Sequence, residues 1–407
     1  MKILVVCQYY YPEVFKVTDV CEALVKDGYE VTVLTGLPNY PTGIVPDEYK
    51  SGHHKDETIN GVHVLRCFER GRKKGAVNLA LNYASFYFSA MRMIKRLSPN
   101  YDIVFSYQLS PIFMALPARW YKLKRHVPMF LYCCDLWPES MKMYLKSETN
   151  PIYKWVSRVS KKVYSACDLI ATQSDVFVDY LKEVHGVEDT KLTYIPNFAD
   201  ESYLEMDFSK EKGDTFDFVF TGNIGIAQNL ENVIKGFSLM CKQFNARLHI
   251  VGGGVRLDAL KELAKELDIQ EHVLFYGQRP VDEMPDFYKK SDACIVSLKA
   301  DNKTGLTLPA KVQGYMAAGK PVIGMINGSC KAVIEEAGCG YCVDASDIDG
   351  FASALSEFCG HPDMHSVYAQ NSRAYFIKNF RKDIHIKAIE EQIEKALNSS
   401  IYTENMV

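Results

Sequence analysis

Short runs of valine, isoleucine and leucine alternate with segments of helical spacing, and this alternation occurs in two series along the chain. The first series opens with an apolar run at 2–7, a helical pattern at 18–26 and a second apolar run at 30–35. The runs show no polar alternation, which is typical of strands in a parallel sheet that is buried on both faces. We therefore predict a parallel sheet with helical crossovers.

An acidic segment with few aliphatic residues at 197–215 separates the two series and is predicted to be a linker. Because 407 residues exceed what one hydrophobic core usually holds, two domains are expected. The sequence thus predicts an α/β protein with two Rossmann-like domains, at 1–198 and 199–375, whose parallel sheets face each other across a cleft. The remainder, 376–407, is predicted to be helical, as part of one long helix at 366–396.

Composition excludes several classes of protein. The chain is 47% apolar with a formal net charge of −3, so its overall charge gives no indication of nucleic-acid binding. The twelve cysteines lie mostly within apolar runs, which indicates buried thiols in a reducing compartment. The N-terminus lacks the pattern of a signal peptide and no stretch resembles a membrane-spanning helix. We therefore expect a cytoplasmic protein.

The segment at 304–325 is the strongest candidate for an anion-binding site. A turn rich in glycine and threonine leads there into a short apolar helix, and Lys311 lies in the first turn of that helix. The free N–H groups of a helix N-terminus, with a lysine beside them, suit a phosphate or a diphosphate. The segment therefore predicts a phosphate site whose turn is formed by Thr307, Leu308 and Pro309.

Two other glycine loops follow strands of the second series. Gly222 and Gly225 lie between a strand and a helix, where they allow a ligand close to the backbone, although a tight turn explains the same pattern. Three glycines at 252–254 could line a nucleotide with Arg256 near a phosphate, and a turn kept small by packing explains them equally well. Together with 304–325, these loops favour a sugar-nucleotide donor site.

Asp135 and Glu139 follow a buried strand of the first series in the string Asp-Leu-Trp-Pro-Glu-Ser. They are expected at the carboxyl edge of the sheet, where open α/β folds bind their ligands. A carboxylate there can take a proton from an acceptor hydroxyl or hold a sugar ring, whereas a helix cap with a first-turn acid is the structural alternative. Tyrosine-rich loops at 9–16 and 36–43 are expected on the same edge and suit a carbohydrate.

A basic segment at 66–74 carries five positive charges and one negative charge, and an aromatic helical pattern at 77–97 follows it. Basic residues beside an amphipathic helix suit docking on an anionic membrane surface. A solvated loop followed by a core-facing helix is the alternative. We predict a protein that is peripherally associated with the inner face of the plasma membrane.

Two motifs argue against other chemistries. Asp347 and Asp349 have the spacing of a metal-binding pair, but they open a late helix far from the glycine loops. Capping of that helix is the preferred interpretation, and no metal site is predicted. The first strand–helix turn has no G-x-G-x-x-G pattern, which argues against a dehydrogenase.

These motifs together resemble the retaining GT-B glycosyltransferases of family 4, and in particular the WbuB-like enzymes of bacterial cell-surface polysaccharide synthesis. The resemblance covers nearly the whole chain. Its more specific strings are Asp-Leu-Trp-Pro-Glu-Ser at 135–140 and Gly-Asn-Ile-Gly at 222–225. Tyr-Tyr-Pro-Glu at 10–13 and the Pro-Ala-Lys…Gly-Lys-Pro string at 309–321 extend it.

The resemblance implies a nucleotide-diphosphate sugar bound mainly by the C-terminal domain, an acceptor on the N-terminal domain, and a last helix that crosses back to the first domain. It implies no cofactor and no divalent cation, since positive side chains and helix N-termini neutralise the departing diphosphate. Asp135, Glu139 and Lys311 are the catalytic candidates. The candidates for donor binding are Gly222, Asn223, Gly225, Gly253, Arg256, Thr307, Leu308, Pro309 and Gln313.

The chain departs from the family at a pair of glutamates eight positions apart. The second of these falls at Gly314 and the first near Leu306. Donor contacts inferred from that pair do not carry over, and Gln313 is the one candidate to replace them. Two rivals to a lipid-linked-saccharide glycosyltransferase therefore stay open: a sugar-nucleotide 2-epimerase of the same fold, and a non-catalytic partner subunit that has lost turnover.

Overall fold

Residues 1–73, 75–143, 145, 147–211, 213–301 and 303–404 are described by a computed structural model, which divides into two units. Unit 1 consists of Met1–Ile195 together with the end of the chain from Ile386. Unit 2 is Pro196–His385. Each unit is built around a parallel sheet with helical crossovers, as the alternating sequence pattern predicts.

The sheet of unit 1 has the strand order β3-β4-β2-β1-β5-β6-β7-β8 over the described residues. Its elements are β1 (Lys2–Val6), α1 (Lys16–Lys26), β2 (Glu30–Thr35), α2 (Asp47–Lys50), β3 (Asp56–Ile59), β4 (Val62–Arg66), α3 (Ala76–Ile94), β5 (Ile103–Gln108), α4 (Leu116–Arg125), β6 (Met129–Cys133), α5 (Pro151–Tyr164), β7 (Leu169–Thr172), α6 (Asp175–His185) and β8 (Leu192–Tyr194).

The strand β3 departs from the parallel arrangement and was not predicted. It pairs antiparallel with β4, and its polar sequence Asp-Glu-Thr-Ile gives alternating exposed and half-buried positions at the edge of the sheet. The hairpin turns at Asn60 and Gly61, whose φ angles are 48° and 83°. Asn-Gly favours positive φ at both positions, which is what a two-residue hairpin with the native strand twist requires.

The sheet of unit 2 is parallel over the described residues, with the order β11-β10-β9-β12-β13-β14. Its elements are β9 (Phe216–Thr221), α7 (Leu230–Met240), β10 (Ala246–Val251), α8 (Leu257–Glu266), β11 (Val273–Gly277), α9 (Met284–Lys290), β12 (Ala293–Ser297), α10 (Ala310–Ala317), β13 (Val322–Met325), α11 (Ser329–Ala337), β14 (Gly340–Val343), α12 (Ile348–Gly360), α13 (His365–Asn379) and α14 (Lys382–Glu404), the last of which continues into unit 1.

The segment predicted to be a linker at 197–215 is instead packed on unit 2. Tyr203 and Phe208 are buried in its core, and the Lys320 ammonium donates to the carbonyl oxygen of Phe208 at 2.7 Å. Lys212, within this segment, lies outside the described residues. The acidic composition of this segment therefore gave no indication that Tyr203 and Phe208 pack in the core of unit 2.

The structure has two helices in place of the long helix predicted at 366–396. The helical conformation is interrupted between α13 and α14 at Phe380, which is buried and has a φ of −125°. From Ile386 onward α14 belongs to unit 1, as expected for a last helix that returns to the first domain. Its buried residues recur at helical spacing: Ile386, Ile389, Ile393 and Ala396. Among the described residues, no helix has the length and apolar character needed to cross a bilayer.

Candidate functional site

Two glycine loops of unit 2 interlock at the carboxyl ends of β9 and β10. The Gly222 amide donates to the Val251 carbonyl and the Ile224 amide donates to the Gly253 carbonyl, both at 2.9 Å. A Cβ on Gly252 would lie 1.8 Å from the Gly222 carbonyl oxygen. The packing explanation therefore accounts for Gly252, whose neighbour leaves no room for a side chain.

Gly253 differs from the residues on either side of it. A Cβ there would meet only the Gln278 side chain, at 3.7 Å. Gly225 and Asn223 are tied to Gln228, whose Oε1 accepts from the Gly225 amide at 3.0 Å and from Asn223 Nδ2 at 3.4 Å. The loop 222–228 is thus held by its own side chains, and Gly253 has open space before it.

Lys311 lies in the first turn of α10, and its ammonium lies over this loop. Its Nζ is 3.6 Å from the centre of the Phe220 ring, and a Cβ on Gly222 would be 2.9 Å from the same atom. No ion pair joins it to a carboxylate of the described residues. Burial lowers the pKa of Lys311 to about 7, because the charged form loses its hydration without gaining a counter-ion. An anion bound beside the Lys311 ammonium would favour its charged form and raise its pKa again.

The other residues predicted on this side occupy different positions. Thr307 and Pro309 are partly exposed, Leu308 is buried, and Pro309 precedes α10 without a side-chain cap. Gln313 is 1% exposed, and its Oε1 has no hydrogen-bond donor among the described residues. Arg256 is bound to Glu231, whose Oε1 accepts from the guanidinium at 2.6 Å.

In unit 1, Asp135 and Glu139 form internal hydrogen bonds. Asp135 accepts from the Trp137 indole at 2.9 Å and from the Ser140 hydroxyl, and burial raises the pKa of its carboxyl. Glu139 is 2% exposed and pairs with Lys142 at 2.9 Å. These contacts tie the loop after β6 together.

A buried polar cluster that the sequence analysis missed lies where β1, β2 and β4 end. Glu69 is 1% exposed, and its Oε1 accepts from Asn82 at 2.7 Å, Gln8 at 2.8 Å and Asn39 at 3.2 Å. Its Oε2 has no donor among the described residues. Burial raises the pKa of Glu69 to about 8, because the carboxylate loses hydration that three amides only partly replace.

The signal for this cluster was present but was assigned to other features. Glu69 is the one acid in the basic segment 66–74, and Asn82 is one of two asparagines that interrupt the apolar stretch 76–90. That segment is only partly a charged surface, since Arg66 is 1% exposed and donates to the Tyr11 carbonyl at 2.7 Å. Lys74 lies outside the described residues.

The capping interpretation of Asp347 is confirmed, because its Oδ1 accepts from the Gly350 amide at 2.8 Å.

Two family models match the chain in succession. Residues 17–203 match the model described as Glycosyltransferase Family 4, and residues 204–383 match Glycosyl transferases group 1. WbjE of Pseudomonas aeruginosa, a "probable glycosyltransferase", is 25% identical over 238 residues, which cover 55% of this chain and 58% of that protein. The chain spans 39% to 58% of the length of three curated relatives, WbjE among them.

Solved structures share the fold over nearly the whole chain. Sucrose-phosphate synthase from Thermosynechococcus elongatus superposes with a TM-score of 0.73 at 14% identity, covering 98% of this chain and 99% of that one. HepE of Anabaena in complex with UDP gives a TM-score of 0.70 at 14% identity, covering 98% and 100%. With both family models matched in order, the chain belongs to the GT-B glycosyltransferases of family 4 and group 1.

Proposed function

We propose that this protein is a retaining glycosyltransferase that moves a sugar from a UDP- or GDP-linked donor to a lipid-linked saccharide. The observation that carries the proposal is the Lys311 ammonium, which lies beside Gly222 at the carboxyl edge of the unit 2 sheet and has no carboxylate partner in the part of the chain that the structure describes. Transfer leaves a nucleotide diphosphate whose negative charge grows as the glycosidic bond breaks. A cation and backbone amides already aimed at that position stabilise the transition state.

We propose that the proton of the acceptor hydroxyl passes to the departing phosphate in a front-face reaction. Asp135 and Glu139 then shape the acceptor loop, since the oxygens of both carboxylates already accept hydrogen bonds from their neighbours. Their substitution should raise the KM for the acceptor more than it lowers kcat. A loss confined to kcat would instead favour a proton-transfer role.

The exposed face of α3 supports a membrane-bound acceptor. Val77, Leu81 and Phe88 share one helical face and are 74%, 42% and 68% exposed. Arg92 and Lys95 are exposed at the end of the same helix. An apolar stripe that ends in cations suits an anionic lipid surface, and such a surface is where a lipid-linked saccharide for capsule, exopolysaccharide or O-antigen assembly resides.

A non-catalytic partner subunit is the second candidate, and one observation supports it. The family's second glutamate falls at Gly314, and a Cβ there would meet no heavy atom within 4 Å. The position therefore has room for a carboxylate that the chain lacks. Donor binding without transfer to any acceptor would favour this candidate.

The donor site is tested by thermal denaturation with UDP, GDP, ADP and CMP and their common sugar conjugates. A ligand that binds only the native state raises the melting temperature with its concentration. We expect a selective shift from UDP or GDP that is lost in Lys311→Ala. Lys331→Ala, at a partly exposed lysine on α11 that pairs with Glu335, is the matched control and should retain the shift. If no nucleotide shifts the native protein, the donor proposal fails.

Membrane docking is tested by co-sedimentation with phosphatidylcholine vesicles, with and without phosphatidylglycerol. Binding should require the anionic lipid and fall in Phe88→Ser. Val281→Ser is the control, because Val281 is similarly exposed, at 77%, but lies in unit 2. Equal binding of both variants would remove α3 from the proposal.

A further inference from the structure

Three segments of unit 1 bring an arginine and three aromatic rings together at the carboxyl edge of its sheet. Tyr9 and Phe15 are stacked, with ring centres 5.2 Å apart. The Tyr40 ring lies against both, at 6.0 Å from Tyr9 and 5.4 Å from Phe15. The Arg72 guanidinium lies 5.8 Å from the centre of the Tyr40 ring. We call Tyr9, Phe15, Tyr40 and Arg72 the aromatic–arginine platform.

The outer members of the platform are accessible to solvent. Tyr40 is 46% exposed, and Arg72 is partly exposed. No carboxylate of the described residues forms an ion pair with Arg72. Tyr9 beneath them is 3% exposed, so it supports the platform from below. A half-exposed ring is therefore presented to solvent beside a guanidinium that has the Tyr9 phenol, and no carboxylate of the described residues, as its partner.

The backbone on both sides of the platform is fixed by buried side chains. Glu13 Oε1 accepts from the amides of Asn39 and Tyr40, at 2.7 and 2.6 Å. Asn39 Oδ1 accepts from the Arg72 amide at 2.9 Å, and its Nδ2 donates to Glu69 at 3.2 Å. Glu13 thus holds the Tyr40 backbone and Asn39 holds the Arg72 backbone, and because Glu13 also binds Asn39, the two keep their relative position without a ligand. Such preorganisation lowers the entropic cost of binding.

We propose that Tyr40 and Arg72 bind a saccharide that carries a phosphate, with the ring against the apolar face of the sugar and the guanidinium on the phosphate. Aromatic rings stack on sugar faces, and arginine matches the geometry of phosphate oxygens better than lysine does. The inference rests on the proposed function and deepens it, because it assigns the phosphate-linked end of the acceptor to this edge. Glu69 and Glu13 are positioning residues for the platform.

The phosphate could come from a saccharide phosphate or from a phospholipid headgroup, and the two sources differ in what else binds. A headgroup offers no sugar face for Tyr40. The experiment therefore titrates the full chain with N-acetylglucosamine 1-phosphate, N-acetylglucosamine and inorganic phosphate, observed by ligand NMR. Vesicles containing phosphatidylglycerol are titrated in parallel.

We expect the sugar phosphate to bind more tightly than either of its parts. Arg72→Gln should weaken the sugar phosphate by at least about tenfold while changing the free sugar little, since one charge-assisted contact is lost. Tyr40→Ala should weaken both sugars, and Tyr40→Phe should keep the affinity because the ring remains. Arg158→Gln, at an exposed arginine on α5, is the matched charge control and should bind as the native chain does.

Other outcomes overturn the proposal. Sugar-phosphate binding that is absent from the native chain, or equal in Arg72→Gln and Arg158→Gln, contradicts it. Loss of vesicle binding alone in Arg72→Gln assigns the phosphate to a lipid headgroup. Loss of sugar-phosphate binding only in Lys311→Ala assigns it to the glycine loops of unit 2. Because the nucleotide-induced melting shift does not depend on Tyr40 or Arg72, the proposed function can hold when this inference fails.

Discussion

The carboxyl edges of the two sheets are built in opposite ways. In unit 1 the edge is filled with polar side chains, and Glu69 alone accepts hydrogen bonds from three amide side chains. In unit 2 the two glycine loops meet backbone against backbone, because Gly252 lies too close to the Gly222 carbonyl for a side chain. The Lys311 ammonium lies over this glycine surface.

The difference indicates how each edge meets a ligand. In unit 1 one oxygen of the buried Glu69 carboxyl already accepts from three side-chain amides, so the loops are fixed before anything binds. In unit 2 the Lys311 ammonium has lost water without gaining a carboxylate of the described residues, so part of its stabilisation is left for an incoming anion. We expect substitutions in unit 1 to act mainly on folding and those in unit 2 mainly on binding.

The largest effect is expected from Glu69→Met, which keeps the length of the side chain but removes the acceptor. The amides of Gln8, Asn39 and Asn82 then lose a buried partner. We expect a loss of about 2–4 kcal/mol in the free energy of unfolding, measured by urea denaturation. Glu69→Gln keeps one acceptor and should lose about 1 kcal/mol.

The pH dependence of the free energy of unfolding, compared between the native protein and Glu69→Gln, is a second test of the buried carboxyl. The pKa of Glu69 rises from 4.5 to about 8 on folding, so the native state holds the proton that the unfolded state releases. Its contribution to stability is therefore complete below pH 4.5 and is lost as the pH rises toward 8. Because glutamine does not titrate, the stability of Glu69→Gln should fall less than that of the native protein over this pH range. A loss of the same size in both proteins would contradict a neutral buried carboxyl.

The next largest effect separates two neighbouring glycines of unit 2. Gly252→Ala would place a methyl group 1.8 Å from the Gly222 carbonyl oxygen, at a φ of 152°. We expect a cost of about 2–4 kcal/mol in the free energy of unfolding. Gly253→Ala meets its nearest neighbour at 3.7 Å and should cost less than about 1 kcal/mol. A large nucleotide-binding loss in the folded Gly253→Ala protein would place the ligand there.

Much of the fold could be predicted from the sequence because buried parallel strands appear as continuous apolar runs. The strand β3 was not predicted, because its side chains alternate between exposed and half-buried positions at the edge of the sheet and form no apolar run. The helix α11 was also not predicted, although Gly328 and Gly338 flank it with φ angles of 68° and 56°. The interruption between α13 and α14 at Phe380 lies within a continuous helical pattern of the sequence. Only the burial of Phe380 in the folded structure distinguishes this position.

The candidate site could be predicted less completely, since spacing does not reveal partners. Lys311 was identified from its place at a helix start, whereas its position over the Phe220 ring is visible only in three dimensions. Arg256 suited a phosphate by its position and is instead bound to Glu231. Glu69 was counted as one charge in a basic segment, because its donors come from three distant parts of the chain.

A moderate effect is expected from pH on the affinity for a nucleotide diphosphate. The pKa of Lys311 is lowered to about 7 in the free protein, and a bound diphosphate should raise it by favouring the ammonium. Binding then takes up a proton, so the affinity should fall by about tenfold per pH unit above 7 and stay level below it. Isothermal titration in buffers of different ionisation enthalpy measures the proton uptake.

Lys311→Arg is the matched control for this prediction. Arginine stays charged throughout the range, so its affinity should not depend on pH between about 7 and 10. The native protein and the variant should differ little at pH 6 and diverge as the pH rises. A pH-independent native affinity would mean that Lys311 is already charged in the free protein, and the contrast between the two edges would be lost.

The smallest effect concerns Gly314, which interrupts α10 three residues after Lys311. A Cβ there meets no atom within 4 Å, so Gly314→Ala should stabilise the protein by about 0.5–1 kcal/mol through the reduced entropy of the unfolded chain. Gly314→Glu gains the same helix propensity and adds the carboxylate that the family carries at this position. If both variants are stabilised equally and only Gly314→Glu changes nucleotide-sugar affinity, the open space beside α10 belongs to the donor site. If neither changes that affinity, Gly314 lies outside the donor site, and the missing glutamate no longer supports a loss of turnover.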